Sequence, residues 1–256
     1  MKIEKHMLIS EKTPWGTLEV WQSGSVRCLY FQNNVAIQSQ LDMAEKEKLL
    51  LPYSRAMMSF LLFRPEPQSV LLFGLGGGSI IHFLCHWFPG LKITAVDINE
   101  RVVSIGKKYF ALSTMPRVNI EIADASTYLK KSKQKNVNVI LVDLHDGDCL
   151  PDFLCDHDFM AQCFHSLSSD GMLVVNLLIK NSQDFTDVLI ALRQCFIDIS
   201  LCMTLKNHQN ILLFAFKTLG VSDMNQLRTK ASEHQDKYGI EFEEFIGDII
   251  KVDPKL

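Results

Sequence analysis

From residue 69 onward the sequence alternates apolar strands with helices, and this alternation limits the possible folds more than any other feature. Helices between successive strands require parallel strands and cover both faces of the resulting sheet. The last two strands are separated by only a short turn, so they form a hairpin that adds an antiparallel strand at one edge. The seven strands cover residues 69–73, 92–96, 118–122, 137–142, 171–178, 199–204 and 210–217. The prediction is an α/β fold with a doubly wound, seven-stranded, Rossmann-like sheet.

The segment before this sheet predicts a small N-terminal β-hairpin unit. Residues 17–22 alternate apolar and polar side chains, and residues 27–31 return as the hairpin partner. Such a unit is too small to hold a hydrophobic core alone. An apolar helix is predicted at residues 49–63, where a proline-rich turn follows. We therefore divide the chain into a β unit, residues 1–45, and a main domain, residues 46–256.

Charge and cysteine content exclude several classes of protein. The net charge is −3 with both signs interspersed, so the sequence has no electrostatic footprint for nucleic acid. The seven cysteines form an odd number without a CxxC pair, which favours a reducing compartment over a disulfide framework. No apolar run reaches the ~18 residues that a membrane span needs, and the charged N-terminus lacks the apolar core of a signal peptide. We expect a cytoplasmic protein that binds neither nucleic acid nor membrane.

A glycine turn, residues 73–79, lies where the first strand of the main domain passes into a helix. Gly74, Gly76 and Gly78 permit positive φ and let the backbone approach a ligand closely. The helix that follows offers free N–H groups and the positive end of its dipole. A tight turn without a ligand is the alternative interpretation of this segment.

Two carboxylates follow the next two strands in order. Asp97 ends the second strand of the main domain, where a carboxylate can accept hydrogen bonds from both ribose hydroxyls. Asp124 follows the third strand, where it can take the exocyclic amine of adenine. Simple surface acids at strand ends are the alternative. The glycine turn and both acids together predict a nucleoside-binding edge of the sheet.

The spacing of the glycines favours one kind of nucleoside. Gly74-x-Gly76-x-x-Ser79 approximates the dinucleotide fingerprint, with Ser in place of the last Gly, so NAD stays an alternative. Gly74-x-Gly76-x-Gly78 fits the glycine motif of methyltransferase-type folds without exception. The closing β-hairpin also suits that fold better than a dehydrogenase. We therefore predict S-adenosylmethionine or its decarboxylated form as co-substrate.

Over most of its length the chain resembles the polyamine aminopropyltransferases, the spermidine synthase family. The matching stretches are VLLFGLGGG (70–78), TAVDIN (94–99), YF (109–110), RV (117–118), ADA (123–125) and VILVD (139–143), followed by Asp146. The N-terminal hairpin and Tyr53 downstream of it are also similar to that family. The last 35 or so residues carry little of the resemblance. It implies a methyltransferase-like domain behind a small β domain, assembled as a homodimer without a metal.

The resemblance also implies roles in aminopropyl transfer, in which an amine attacks the propyl carbon beside a sulfonium. A protonated alkylamine, with a pKa of about 10.4, has no lone pair, so a base must take its proton. Asp143 corresponds to that base, and Asp146 to the group that holds the ammonium of a small amine substrate. Tyr53 orients the amine, and Gln38 contacts the donor. An acidic loop without a catalytic role is the alternative for Asp143 and Asp146.

Several positions depart from the family pattern. Gly77 stands where the family usually has an Asp that holds the donor's amine, and Ser54 and Arg55 replace a His and a Glu. Asn176 stands where Gln is usual. Arg55 is a candidate partner for a donor carboxylate, which would favour intact S-adenosylmethionine.

Three functions follow from these patterns. The leading hypothesis is a spermidine synthase-like aminopropyltransferase that uses decarboxylated S-adenosylmethionine and a polyamine-type amine. The second is a methyltransferase with an unknown small acceptor, and the third is a nucleoside-binding protein without catalysis.

His82 and His86 have the i, i+4 spacing of some metal ligands, but without further spaced ligands helix packing explains them better.

Overall fold

Two β-sheets organise the chain. A computed structural model describes residues 4–14, 16–31, 36–115, 117–132, 134–144, 150–179, 181–196, 200–218 and 224–252. The N-terminal sheet is antiparallel, with the order β1-β2-β3-β4, and consists of β1 (Lys5–Thr13), β2 (Gly16–Ser23), β3 (Val26–Phe31) and β4 (Ala36–Asp42). Strand β1 was not predicted, because its side chains are mostly exposed and do not alternate cleanly between apolar and polar.

The main sheet has the order β12-β10-β11-β9-β8-β5-β6-β7. Its strands are β5 (Ser69–Phe73), β6 (Lys92–Asp97), β7 (Val118–Ile122), β8 (Val137–Val142), β9 (Leu167–Leu178), β10 (Ser200–Thr204), β11 (Asn210–Phe216) and β12 (Ile249–Lys251). Strands β5 to β9 pair in parallel, as predicted. The predicted α/β fold with a small N-terminal strand unit is confirmed.

The sheet differs from the prediction in two details. It has eight strands rather than seven, because the short β12 adds to the edge beside β10. The antiparallel strand of the hairpin is β11, and it lies inside the sheet between β9 and β10 rather than at the edge. Its sequence NILLFAF explains this position, since most of its side chains are buried and it pairs on both sides.

Eight α-helices surround the main sheet in the described parts of the chain. They are α1 (Pro52–Met57), α2 (Ser79–Trp87), α3 (Glu100–Tyr109), α4 (Ala125–Lys131), α5 (His157–Ser166), α6 (Ser182–Cys195), α7 (Met224–Tyr238) and α8 (Phe242–Asp248). The predicted helix at 49–63 begins only at Pro52, a residue suited to the first helical turn, and becomes a 3₁₀ helix from Met58 to Leu62. Within the described ranges, none of the helices is both long and apolar enough to cross a bilayer.

Alternate side chains of the central strands pack on opposite faces of the sheet. Val70 and Leu72 of β5 face α1, α2, α3, α7 and α8, whereas Leu71 and Phe73 face α4, α5 and α6. This arrangement is the doubly wound architecture expected from the alternation of strands and helices. The buried side chains of the N-terminal sheet, such as Leu18 and Leu29, join the first of these two cores.

The segment after β11 contributes more to the fold than its sequence suggested. Tyr238 at the end of α7 packs against Phe83 and Trp87 of α2, with ring centroids 5.8 and 5.1 Å away. Phe242 begins α8 and is fully buried. This C-terminal segment therefore closes one face of the core.

The turn after β5 requires glycine for a steric reason. Gly74 has φ of 93°, and its N–H donates to the carbonyl of Val96 at 2.9 Å. A Cβ at this position would lie 2.0 Å from the backbone oxygen of Asp143, at the end of β8. The turn and the end of β8 are thus in direct backbone contact, and no side chain fits between them.

We expect Gly74→Ala to lower the free energy of unfolding by about 2–5 kcal/mol, because it combines positive φ with overpacking against a backbone carbonyl. Gly90→Ala is the matched control, since a Cβ there meets nothing within 4 Å, and it should change stability by less than about 0.5 kcal/mol. Urea unfolding measures both variants. Equal midpoints for the two variants would show that the close contact is absent.

Truncation of Phe242 tests whether the C-terminal segment belongs to the core. Phe242→Ala removes a fully buried ring and should destabilise the protein by about 3–5 kcal/mol. Ile190→Ala on α6 is the control, because Ile190 is 49% exposed and its truncation should cost less than about 0.5 kcal/mol. A Phe242 variant as stable as the Ile190 variant in thermal unfolding would contradict the packing of α8.

Candidate active site

A cavity of about 560 Å³ opens at the carboxyl ends of β5, β6 and β8. This edge of an open α/β sheet is where ligands ordinarily bind. The N-terminal sheet covers the cavity with Leu18, Leu29, Phe31 and Gln38. The main domain contributes Tyr53, Gly74, Gly76, Val96, Asp97, Ile98, Asn99, Val102, Ala123, Asp124, Ala125, Asp143, Leu144, Pro151 and Phe153.

The three glycines of the predicted turn serve different purposes. Gly74 and Gly76 line the cavity, and both have positive φ, 93° and 50°. Gly78 is instead the N-cap of α2 with φ of 76°, and a Cβ there would lie 2.5 Å from Leu112. Gly78 is not among the described lining residues, so packing and helix initiation explain it without a ligand.

Asp97 fastens the glycine turn to the end of β6. One carboxylate oxygen accepts the N–H of Leu75 at 2.9 Å, and the other accepts the N–H of Asn99 at 2.8 Å. Burial raises the pKa of the Asp97 carboxyl, and these two hydrogen bonds partly oppose that shift. Each oxygen retains a lone pair, so the carboxylate can still accept hydroxyl donors from the cavity.

Asp124 also lines the cavity, and it has a structural role that the sequence reasoning did not assign. Its Oδ1 accepts the N–H of Thr127 at 2.8 Å and so caps the N-terminus of α4. The second oxygen is not required for the cap. Val96, Ile98 and Val102 form apolar walls nearby that suit a flat heterocycle.

Tyr53 and Gln38 lie together at the boundary between the two sheets. The Tyr53 hydroxyl donates to the backbone carbonyl of Gln38 at 3.2 Å. Burial, and then the charge and hydrogen bonding of Asp143, raise the pKa of Tyr53 well above its usual value. The phenol therefore stays protonated and acts as a hydrogen-bond donor in the cavity.

Asp143 lies at the end of β8, beside the glycine turn and Tyr53. Asn176 of β9 is fully buried, and its Nδ2 donates to Asp143 Oδ1 at 2.9 Å. In the sequence, Asn176 stood out only as a departure from a family pattern. A signal was present, because Asn176 is an amide in the otherwise apolar strand segment MLVVNLL.

Asp146, the third predicted member of the amine site, falls within residues 145–149, outside the described residues. Its role stays a prediction.

Arg55 does not reach the cavity. Its guanidinium makes a bidentate ion pair with Glu241, with N–O distances of 2.8 and 2.9 Å, and donates to the carbonyls of Leu49 and Leu50. The structure contradicts the expectation that Arg55 holds a donor carboxylate, because the C-terminal segment supplies its partner instead. The described lining residues include three carboxylates and no Lys, Arg or His, so the cavity favours a cationic ligand.

Packing also explains the absence of a carboxylate at Gly77. A Cβ at this position would lie 2.9 Å from both the Phe110 ring and Ser39 Oγ. The Asp that the family usually carries here has no room unless Phe110 or Ser39 shifts.

The two candidate metal ligands on α2 contact protein groups, and the ring of His86 lies against Trp87 with the ring centroids 4.9 Å apart. His82 is buried, its Nε2 donates to the Phe110 carbonyl at 2.7 Å, and burial lowers its pKa. Among the residues that the structure describes, no group of three His, Cys, Asp or Glu side chains is placed to hold a metal ion.

Known proteins are similar to this chain in sequence and in fold. The sequence-family model of the spermine/spermidine synthase domain matches residues 50–212 of this chain. A polyamine aminopropyltransferase from Chromobacterium violaceum is 33% identical over 233 residues, which cover 90% of this chain and 87% of that protein.

Solved structures of low sequence identity agree in fold. A probable spermidine synthase from Corynebacterium glutamicum superposes with a TM-score of 0.77 at 15% identity, covering 98% of this chain and 91% of that chain. A spermidine synthase in complex with the transition-state analogue AdoDATO superposes with a TM-score of 0.70 at 15% identity, covering 94% and 88%. The domain match and the relative at 33% identity together show that the chain belongs to the spermine/spermidine synthase family.

Proposed function

We propose that this protein transfers an aminopropyl group from decarboxylated S-adenosylmethionine to a polyamine-type amine. Membership of the family makes it a transferase of the aminopropyltransferase class. The specific donor and acceptor are proposed from one observation. Asp143, Tyr53 and the glycine turn lie together in one cavity whose described charged side chains are all acidic.

The proposed donor is a nucleoside with a cationic tail, and the lining of the cavity supports both parts. Asp97 would accept the ribose hydroxyls, and Asp124 would accept the adenine amine with the oxygen that does not cap α4. Apolar side chains from both sheets surround this space. The spermidine synthase of the same fold that was solved with AdoDATO supports such an arrangement.

The charges of the cavity favour the decarboxylated donor over intact S-adenosylmethionine. An unpaired carboxylate beside three acidic side chains is repelled, and removing it from water costs several kcal/mol. Arg55, which was the candidate partner for such a carboxylate, is occupied by Glu241. The sulfonium and the propyl ammonium of the decarboxylated donor are both cations, which the acidic lining attracts.

The chemistry needs a proton acceptor rather than a general acid. The amine nitrogen attacks the propyl carbon next to sulfur, the C–S bond breaks, and its electron pair goes to sulfur to give neutral methylthioadenosine. Asp143 would take the proton that the substrate ammonium must lose before its nitrogen can attack. Tyr53, held protonated, would orient the amine by its hydroxyl, and Asp146 is proposed to hold the far ammonium of the acceptor.

Incubation with decarboxylated S-adenosylmethionine and a panel of diamines that includes putrescine should release methylthioadenosine. Asp143→Asn should lower turnover by about 10²–10⁴-fold, because it removes the base, and leave donor affinity within a few-fold of wild type. Asp158→Asn is the matched control, since Asp158 is an exposed carboxylate on α5 with no place in the cavity; it should keep full turnover.

The same assay separates the proposal from its alternatives. S-adenosylhomocysteine formed from the intact donor would identify a methyltransferase instead. Tight nucleoside binding without turnover of any acceptor would indicate a binding protein, and either result would overturn the proposal.

A further inference from the structure

Two asparagines extend inward from the proposed base in a continuous hydrogen-bonded chain. Asn176 Nδ2 donates to Asp143 Oδ1 at 2.9 Å, and Asn210 Nδ2 donates to Asn176 Oδ1 at 3.0 Å. Asn176 is fully buried and Asn210 is half-buried. The chain therefore runs from the cavity through the sheet interior to the start of β11.

The chemistry of the groups fixes the direction of every donor in this chain. An ionised carboxylate only accepts hydrogen bonds, so Asn176 must present its NH₂ group to Asp143. The amide oxygen of Asn176 then points to Asn210, which must donate to it. By donating to the Asn176 oxygen, Asn210 stabilises the orientation in which the Asn176 NH₂ group faces the carboxylate.

We propose that Asn176 and Asn210 are positioning residues that hold the Asp143 carboxylate in its proton-accepting state and in a fixed orientation at the edge of the cavity. For its consequence in catalysis this inference depends on the proposed aminopropyl transfer. Neither asparagine lines the cavity, so both act through Asp143 rather than on a substrate.

The backbone makes this chain rigid. Strands β9 and β11 pair antiparallel, with Leu212 opposite Asn176 and Asn210 opposite Leu178. The two asparagines are therefore diagonal neighbours on paired strands inside the sheet, within reach of each other's side chains. Side chains supported in this way on central strands hold a reactive group more precisely than a loop does.

A test of this inference must leave the other charged and titratable residues near Asp143 unsubstituted. Tyr53 faces it from α1 and stays protonated, and Asp97 and Asp124 line the same cavity from the ends of β6 and β7. None of these residues is changed by substitution at Asn210. In Asn210→Leu, which adds no charge, a shift in the pH at which Asp143 is protonated is thus attributable to the loss of the Asn210 donor.

Asn210→Asp is the primary test, because it exchanges the NH₂ donor for an oxygen of the same size. Asn176 is then expected to turn its NH₂ toward the new carboxylate and its oxygen toward Asp143, which favours the protonated acid. Asn210→Leu removes the donor without adding charge. Asn119→Asp is the control for charge, since Asn119 is exposed on the edge strand β7.

Two measurements report on the state of the base. The acid limb of the pH–kcat profile should shift to higher pH by about one to two units in Asn210→Asp, given the usual strength of a hydrogen bond to a charged group. A smaller upward shift is expected in Asn210→Leu, and none in Asn119→Asp. The KM for the donor should stay within about twofold of wild type, because the donor site is untouched.

Infrared difference spectroscopy without substrate provides the second readout. The protonated carboxyl band of Asp143, isolated by subtracting the matching Asp143→Asn protein, should persist to higher pH in Asn210→Asp than in Asn119→Asp. The inference is overturned if the pH dependence of this band and the position of the acid limb are each the same in Asn210→Asp as in Asn119→Asp, even if kcat has fallen. If the band shifts but wild-type protein turns over no diamine, the inference holds and the proposed function fails.

Discussion

The site is built on the two hydrogen bonds that the Asp97 carboxylate accepts from the backbone. They join Leu75, inside the glycine turn, to Asn99, the residue that caps α3. The turn is thereby held against the sheet edge, with Gly74 so close to the carbonyl of Asp143 that no Cβ fits between them. The positions of the proposed nucleoside-binding edge and of the proposed base are consequently coupled through the backbone.

The departures from the family pattern have physical explanations in the structure. Phe110 and Ser39 occupy the space that a side chain at Gly77 would need. Arg55 pairs with Glu241 and so joins α1 to the C-terminal segment instead of facing a ligand. Asn176, in place of the usual Gln, is engaged between Asp143 and Asn210. The acidic lining of the cavity is unaffected by these changes, so the cavity still favours a cationic ligand.

Local patterns in the sequence were sufficient to predict the parallel strands, the glycine turn and the acids that follow β6 and β7, because strand–helix alternation and turn chemistry are encoded by neighbouring residues. The interior position of β11, the three-residue β12 and the packing of α7 and α8 depend on contacts between distant segments, so periodicity alone could not predict them.

The same distinction applies to the site. Asp97 and Asp124 were identified from their places at strand ends and Asp143 from the family resemblance, and all three line one cavity. The pairing of Arg55 with Glu241 joins residues 186 positions apart, and the chain from Asn210 to Asp143 depends on strand register. The cover that the N-terminal sheet provides through Leu18, Leu29 and Phe31 likewise arises from tertiary packing.

Calorimetric titration of the wild-type protein with decarboxylated and intact S-adenosylmethionine tests the central claim most directly, since the two donors differ only in the carboxylate. An acidic cavity without a described basic side chain should bind the decarboxylated donor at least about tenfold more tightly, a difference of roughly 1.4 kcal/mol or more. Equal or tighter binding of the intact donor would contradict the account, because it would require a cationic partner that the described lining of the cavity does not contain.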